Sequence, residues 1–147
     1  MDWLLHTYPS WSLLVTRIVL GIIFFAHGAQ KMLGWFGGNG LKATIKGWQQ
    51  HMNIPPALTV LATCIEFFGS VAILLGLLVR PAALGIAMVM VTAIFKVHIR
   101  HGFFLAHDPG GHNGYEFNLA LIGLALALLI GGAGALSLDR MLVPLAR

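Results

Sequence analysis

The sequence predicts an all-α membrane protein: one domain over residues 1–147 that forms a bundle of four transmembrane helices, with a short interfacial amphipathic helix between helices one and two. Hydrophobic residues make up 58% of the chain and charged residues 10%. A soluble domain is about 45–50% apolar and about 25% charged. The apolar residues also form runs long enough to cross a bilayer. The nine cations are scattered singly despite a net charge of +4, so we expect a lipid bilayer as partner and no nucleic acid.

The first predicted span covers residues 12–33 and carries charged residues inside an apolar run. Arg17 and Lys31 fall along one helical face, and Gly21 and Gly28 lie between them on that face. A charge at the bilayer centre costs at least about 3 kcal/mol, so each cation needs a partner or a polar cavity. The two glycines indicate that another helix lies close against this face.

A glycine-rich segment over residues 34–40 ends the first span, and its aromatic residues are typical of a membrane interface. Residues 41–52 then have the pattern of a short amphipathic helix, with Leu41, Ile45 and Trp48 on one face. A solvated surface helix would show the same pattern. The neighbouring apolar segments favour a helix that lies on the membrane.

Three further spans are predicted over residues 57–79, 82–99 and 116–135. Glu66 lies about 15 Å into the second span, near the middle of the bilayer. A tight turn at Arg80-Pro81 is expected to separate the second span from the third. The third span ends in a polar cluster that contains Lys96, His98, Arg100 and His101.

Four spans place both termini on the same side of the membrane. The positive-inside rule does not decide which side faces the cytoplasm, because the cations outside the spans divide evenly between the two sides. Those on the terminal side are Arg80, Arg140 and Arg147, and those on the other side are Lys42, Lys46 and Arg100. We favour termini that face the cytoplasm.

The predicted topology brings polar side chains from all four spans into one half of the bundle. Opposite charges in lipid are expected to pair. The expected ion pairs join Glu66 to Lys31 or Arg17, and Glu116 to Lys96 or His98. Such pairs can serve helix packing alone. The number of polar groups that converge here favours a binding site or a proton path instead.

The loop after the third span is rich in histidine, which raises the question of a metal. The candidate ligands are His98, His101, His107 and His112, with Asp108 between them. Imidazoles and a carboxylate suit zinc, copper or iron, but this spacing is no recognised metal signature, so no metal is predicted. Haem would need facing axial histidines, for which His27 and His98 are the candidates, and the chain has no haem, flavin or nicotinamide signature.

The order and spacing of several short motifs resemble the DoxX family of membrane proteins from Arg17 to Arg140. The matching elements are Arg17 with His27-Gly28-x-x-Lys31, Trp35-Phe-Gly-Gly-x-Gly40, Asn53-Ile-Pro55, Glu66 with Gly69, Gly76-Leu-x-x-Arg80, His98, Gly114-Tyr-Glu116, and Gly132-Ala-Gly134 followed by Ser137-Leu-Asp139. The Gly-Pro-Gly that is usual near the end of the family motif is Gly-Ala-Gly here, a difference that affects one turn.

The resemblance implies an integral four-helix protein of the bacterial inner (cytoplasmic) membrane. Some members of the family are subunits of a thiosulfate:quinone oxidoreductase. Others are linked to oxidative or thiol stress and to the detoxification of quinones and catechols. Similar four-helix proteins act as chaperones or trafficking receptors, so a non-enzymatic function also fits the resemblance.

One hypothesis is therefore a quinone-interacting subunit or accessory of a membrane redox system, with a bound quinone as the only cofactor. Glu66 and Glu116 would relay the protons that quinone reduction consumes. The quinone would enter near Trp35 and Phe104. The expected ligand-binding residues are His27, Lys31, Trp35, Lys96, His98 and Phe104. Electrons would come from a soluble redox partner or a second subunit.

The alternative hypothesis is a non-enzymatic membrane anchor or assembly scaffold for partner proteins. The segments 34–56 and 102–114 would then form the docking surface. A homodimer is compatible with the glycine-rich helix faces under either hypothesis.

Overall fold

The computed structural model describes residues 2–107 and 110–142, and this part of the chain is helical with no β-strand. The helices in chain order are α1 (Asp2–Leu5), α2 (Trp11–Met32), α3 (Gly40–Met52), α4 (Pro56–Leu75), α5 (Val79–Ala93), α6 (Glu116–Gly131) and α7 (Leu138–Leu142). Helix α5 continues into a π-helical turn, Ile94–His98, and a 3-10 turn, Ile99–His101.

Three of these helices are long and apolar enough to cross a membrane: Trp11–Met32, Pro56–Leu75 and the continuous segment Val79–His101. The fourth apolar helix, α6, has 16 residues and is shorter. The fold is therefore all-helical and of the membrane class, as the composition predicts.

The junction between α4 and α5 differs from the prediction of a turn at Arg80-Pro81. Helix α4 ends at Leu75 because Gly76 adopts a left-handed conformation with φ of 68°. The Asp139 carboxylate then accepts hydrogen bonds from the backbone N–H groups of Leu78 and Val79, so α5 begins early. Pro81 is tolerated in the first turn of a helix, where its missing N–H has no intrahelical acceptor.

The four apolar helices pack in a ring in which α2 and α5 each contact both α4 and α6. Helix α3 packs against α2 and α4 at one end of this ring. The buried core between the helices includes Leu20, Phe24, Ile73, Val79, Ile86, Leu121 and Leu128. Large apolar side chains also cover the outer faces, for example Ile22, Phe68 and Ile130. An apolar exterior around a packed core implies a lipid bilayer as the surrounding medium.

Helices α2 and α4 approach most closely at Gly28. A Cβ atom at this position would lie 2.7 Å from the backbone Cα and N atoms of Phe67. At Gly21, by contrast, the obstructing atoms belong to the flexible side chain of Leu74. The glycine face predicted on the first span therefore packs against α4, and Gly28 is the position where backbone meets backbone.

Replacing Gly28 by alanine is expected to destabilise the protein by about 1–3 kcal/mol, because a helix backbone must move to make room for the methyl group. Thermal unfolding in detergent measures this. Gly123→Ala in α6 is the matched control, since nothing lies within 4 Å of its added Cβ. Equal unfolding temperatures for the two variants would contradict the close approach.

Candidate functional site

A cavity of about 740 Å³ occupies the end of the bundle where α2 and α5 finish and α4 and α6 begin. Residues of all five helices from α2 to α6 form its wall, together with Leu105, Asn113 and Gly114 of the loop between α5 and α6. Drug-sized ligands and cofactors occupy pockets of about 300–1,000 Å³, so the volume suits a ring system or the headgroup of a lipid-like molecule.

Exposed lining residues on α4 and α5 indicate a sideways opening of the cavity between these two helices. Leu58 and Leu61 of α4 and Met88 of α5 line it, and each of them is more than half exposed on the outside of the bundle. The mouth is therefore apolar and lies on a face that we assign to lipid. Trp35 and Phe104, where the entry was predicted, are outside the described lining, and an entry near them stays a prediction.

A buried ion pair joins α2 to α4 in the cavity wall. Lys31 Nζ lies 2.7 Å from Glu66 Oε1 and 2.5 Å from Glu66 Oε2. Glu66 is 1% exposed and Lys31 is 27% exposed, so the carboxylate is buried and the ammonium group reaches the cavity. The ammonium also lies 5.1 Å from the ring centroid of Trp48, a distance within the range of a cation–π contact. Of the two partners predicted for Glu66, Lys31 is the one that binds it.

His27, Lys96 and His98 also line the cavity. Lys96 and His98 belong to the π-helical turn, a distortion that is common at functional sites. His98 Nδ1 lies 2.8 Å from the carbonyl oxygen of Asn113. Because a carbonyl oxygen only accepts, Nδ1 is the donor, and Nε2 of a neutral His98 is left as an acceptor.

The charged and titratable residues of the described cavity wall all lie within one segment of the chain, residues 12–99. The profile of the DoxX family matches this same segment, which is more than half of the chain. This chain belongs to the DoxX family. The membership predicted from the motifs is confirmed.

Relatives of this DoxX protein include two from Escherichia coli strain K12 that are named as inner membrane proteins. YqjF is 33% identical over 133 residues, which cover 89% of this chain and 92% of YqjF. YphA is 32% identical over 131 residues, which cover 87% of this chain and 88% of YphA. These relatives and the apolar helices fit a location in a bacterial inner membrane.

A third relative is CatD of Bacillus subtilis, whose name proposes an oxidoreductase. CatD is 29% identical over 126 residues, which cover 86% of this chain and 83% of CatD. No solved structure matches the chain.

Glu116 does not form the ion pair that was predicted with Lys96 or His98. Its Oε1 atom instead accepts a hydrogen bond of 2.6 Å from the backbone N–H of Leu105. The cause is local, because the loop folds back on the start of α6 and three backbone hydrogen bonds hold it there. These bonds run from Gly114 to Phe104, from Tyr115 to Gly102 and from Glu116 to Phe103. The Glu116 carboxylate is therefore bonded to the backbone N–H of Leu105 and not to Lys96 or His98.

Two aromatic residues predicted to bind the ligand, Trp35 and Phe104, are absent from the described cavity wall. Both side chains are more than half exposed. Trp35 lies in the turn between α2 and α3, and Phe104 lies in the loop between α5 and α6 and packs edge-on against Phe103. Their exposure fits residues at a membrane interface better than residues that line an entrance.

Arg17 lies at the opposite end of the bundle and does not contact Glu66. It precedes Lys31 by four helical turns, or about 21 Å, on the same helix, so one carboxylate cannot serve both cations. Arg17 is buried, and its Nη2 atom donates a hydrogen bond of 2.8 Å to the carbonyl oxygen of Leu136. Asp139 is the acid within its electrostatic range.

The loop histidines do not gather into a metal site in the described part of the chain. His101 and His112 stack with ring centroids 4.5 Å apart, and His98 bonds to Asn113. His107 is exposed, and Asp108 lies outside the described residues. No three His, Cys, Asp or Glu side chains within residues 2–107 and 110–142 lie close enough to share a metal ion.

Trp48 and Asn118 of the cavity wall carry polar groups and were not predicted as site residues. Asn118 is buried, and its amide nitrogen has only the weakly accepting sulfur of Met90, 3.4 Å away. A single amide near the start of an apolar helix is a signal that could have identified Asn118. Trp48 lies on the apolar face of α3, and nothing in the local sequence distinguishes a cavity residue there from a membrane anchor.

Proposed function

We propose that this DoxX protein binds a membrane quinone in the cavity and acts as a subunit or accessory of a membrane redox system. The observation behind the proposal is the combination of an apolar cavity, a mouth that opens sideways between α4 and α5, and the Lys31–Glu66 pair in its wall. A quinone has an apolar tail and a polar ring, so it enters from lipid and needs polar partners at one point only. The name of CatD also favours a redox function.

The cavity wall contains one polar group that suits the oxidised ligand, the quinone, and another that suits the reduced ligand, the quinol. Lys31 is a donor and suits the carbonyl oxygen of a quinone. Nε2 of neutral His98 is an acceptor and suits the hydroxyl group of a quinol. Reduction of a quinone to a quinol takes up two electrons and two protons. Glu66, in contact with Lys31, is the proposed proton carrier, and a soluble partner or second subunit supplies the electrons.

Glu116 has a different function in this proposal. Its carboxylate holds the backbone of Leu105, which lines the cavity, and so it positions the loop instead of relaying protons. Glutamine retains an oxygen acceptor at this position. Glu116→Gln is therefore a suitable control for substitutions inside the cavity.

Binding of decylubiquinone to the purified protein tests the proposal. We expect saturable binding by the wild type and a loss of at least about tenfold in affinity, or about 1.4 kcal/mol, for the double variant Lys31→Met with Glu66→Gln. The double substitution removes both charges and leaves no buried carboxylate unpaired. Glu116→Gln should bind as the wild type does. A wild type that shows no saturable binding overturns the quinone proposal and leaves the scaffold hypothesis.

We further propose that α2, α4, α5 and α6 all cross the membrane, with α3 at the interface and both termini on one side. The segment that follows α6 bonds to the segment before α2, since Ala135 N donates to Ser10 O at 3.0 Å and Gly134 N donates to Thr7 Oγ1 at 2.6 Å. Reporter fusions at the two ends test this, and reporters on opposite sides would contradict it. The cytoplasmic location of the termini and a homodimer stay predictions.

A further inference from the structure

The cavity wall contains more basic than acidic side chains. Its basic residues are His27, Lys31, Lys96 and His98, and its acidic residue among the described lining is Glu66. The ion pair with Lys31 neutralises Glu66. Within residues 2–107 and 110–142 no carboxylate pairs with Lys96. With both histidines neutral, the described wall therefore has an excess of one positive charge.

Helix ends offset this excess only in part. Helices α4 and α6 begin at the cavity and contribute partial positive charge there, whereas α2, α3 and the extended α5 end at it and contribute partial negative charge. Three ends against two starts leave about half a negative charge, which is less than the full charge of Lys96. The side chains, and Lys96 in particular, decide the electrostatic potential inside the cavity.

We infer that the cavity selects a quinone with an ionised ring hydroxyl over a neutral quinone of the same shape. This inference rests on the proposed function. Lys96 is an exposed residue that also lines the cavity. Where lipid covers it, its ammonium group lacks the solvation that water would give it, and an anionic oxygen on the ligand supplies the missing partner. A neutral ring occupies the same volume and leaves the ammonium group without a counter-charge.

The competing arrangement is a Lys96 side chain that extends past the cavity to the lipid headgroups. Lys96 lies five residues before the end of its helical segment at His101, about 7.5 Å along the axis, so its stem is long enough to reach the interface. In that arrangement its charge is solvated by headgroups and the cavity has no preference for an anion. Ligand charge is therefore the variable to test.

Lawsone, a naphthoquinone with an acidic ring hydroxyl, and its methyl ether, which cannot ionise there, form a matched pair of probes. At neutral pH we expect the wild type to bind the lawsone anion at least about tenfold more tightly than the ether, about 1.4 kcal/mol. In Lys96→Met this ratio should fall close to one. Lys46→Met is the control, because Lys46 is exposed on α3 outside the described lining, and it should keep the wild-type ratio.

Comparing the ratio between variants cancels the different partition of the two probes into detergent or lipid. Equal binding of lawsone and its ether by the wild type overturns the inference and leaves the quinone site standing. A preference for lawsone that persists in Lys96→Met also overturns it. Failure of both probes and of decylubiquinone to bind overturns the proposed function together with the inference.

Discussion

Replacing Lys31 by methionine is expected to lower the free energy of unfolding by about 3–5 kcal/mol, the cost of breaking a buried ion pair by removing one partner. Methionine has a similar length and apolar stem, so packing is largely retained and the loss is electrostatic. Glu66, at 1% exposure, would be left as a buried carboxylate. Arg17 lies at the other end of α2 and cannot replace Lys31, and Lys96 of the described cavity wall forms no ion pair with Glu66.

The double variant with Glu66→Gln distinguishes a lost ion pair from lost packing. Removing both charges should restore part of the stability, since a buried neutral amide without a partner costs less than a buried carboxylate without one. Unfolding of the wild type, the two single variants and the double variant in one detergent gives the coupling energy. Lys46→Met controls for the loss of a lysine from an exposed position. Additive single effects would show that Lys31 and Glu66 do not depend on each other.

The Lys31–Glu66 ion pair is a part of the site that could be predicted from the sequence. Hydropathy gives the order of the helices, and the depth of each charge along its helix brings Lys31 and Glu66 into the same half of the bundle. Helical rise and topology are enough here, because the two side chains lie on long helices that must pack together. Helical rise and topology also bring His27, Lys96 and His98 to the same end of the bundle, and all three line the cavity.

The prediction for Glu116 fails for a physical reason. Its partner is a backbone N–H of a loop that folds back through backbone hydrogen bonds, and such bonds leave little trace in the pattern of side chains. The lateral mouth could not be predicted either. It depends on how far α4 and α5 diverge, and Leu58 and Met88 have the composition of any lipid-facing position.

The sequence predicts that Arg17 needs a partner. It does not predict that this partner lies in the last described segment of the chain. Leu136 supplies a carbonyl oxygen, and Asp139 supplies a negative charge while capping α5. Gly76 makes the arrangement possible, because a Cβ atom there would collide with Arg17 Nη1. The resemblance identified Gly76 and Asp139 as motif positions, and the structure gives both a single reason: they hold the α4–α5 junction against α2.

Replacing Asp139 by alanine is therefore expected to cost about 3–5 kcal/mol, comparable to the loss of Lys31 at the other end of the bundle. The carboxylate is 1% exposed and accepts bonds of 2.7 Å from Leu78 N and 3.0 Å from Val79 N. Both N–H groups would lose their acceptor. Arg17 would lose its nearby negative charge while its Nε and Nη1 atoms already lack a hydrogen-bond partner in the described residues.

Asp139→Asn removes the charge and one of the two acceptors, because the asparagine oxygen can accept from only one of the N–H groups at its present position and the NH2 group faces the other. We expect the unfolding temperature of Asp139→Asn to lie between those of the wild type and Asp139→Ala. Arg140 is the exposed neighbouring residue, and Arg140→Ala, the control, should unfold at the wild-type temperature. If Asp139→Asn is as unstable as Asp139→Ala, the lost charge and the lost second acceptor together account for most of the destabilisation, and the retained acceptor contributes little. If Asp139→Ala unfolds like the wild type, the capping of α5 by this carboxylate is wrong.

Quinone binding by folded Asp139→Asn should be unchanged, because neither Asp139 nor Arg17 is part of the described cavity wall.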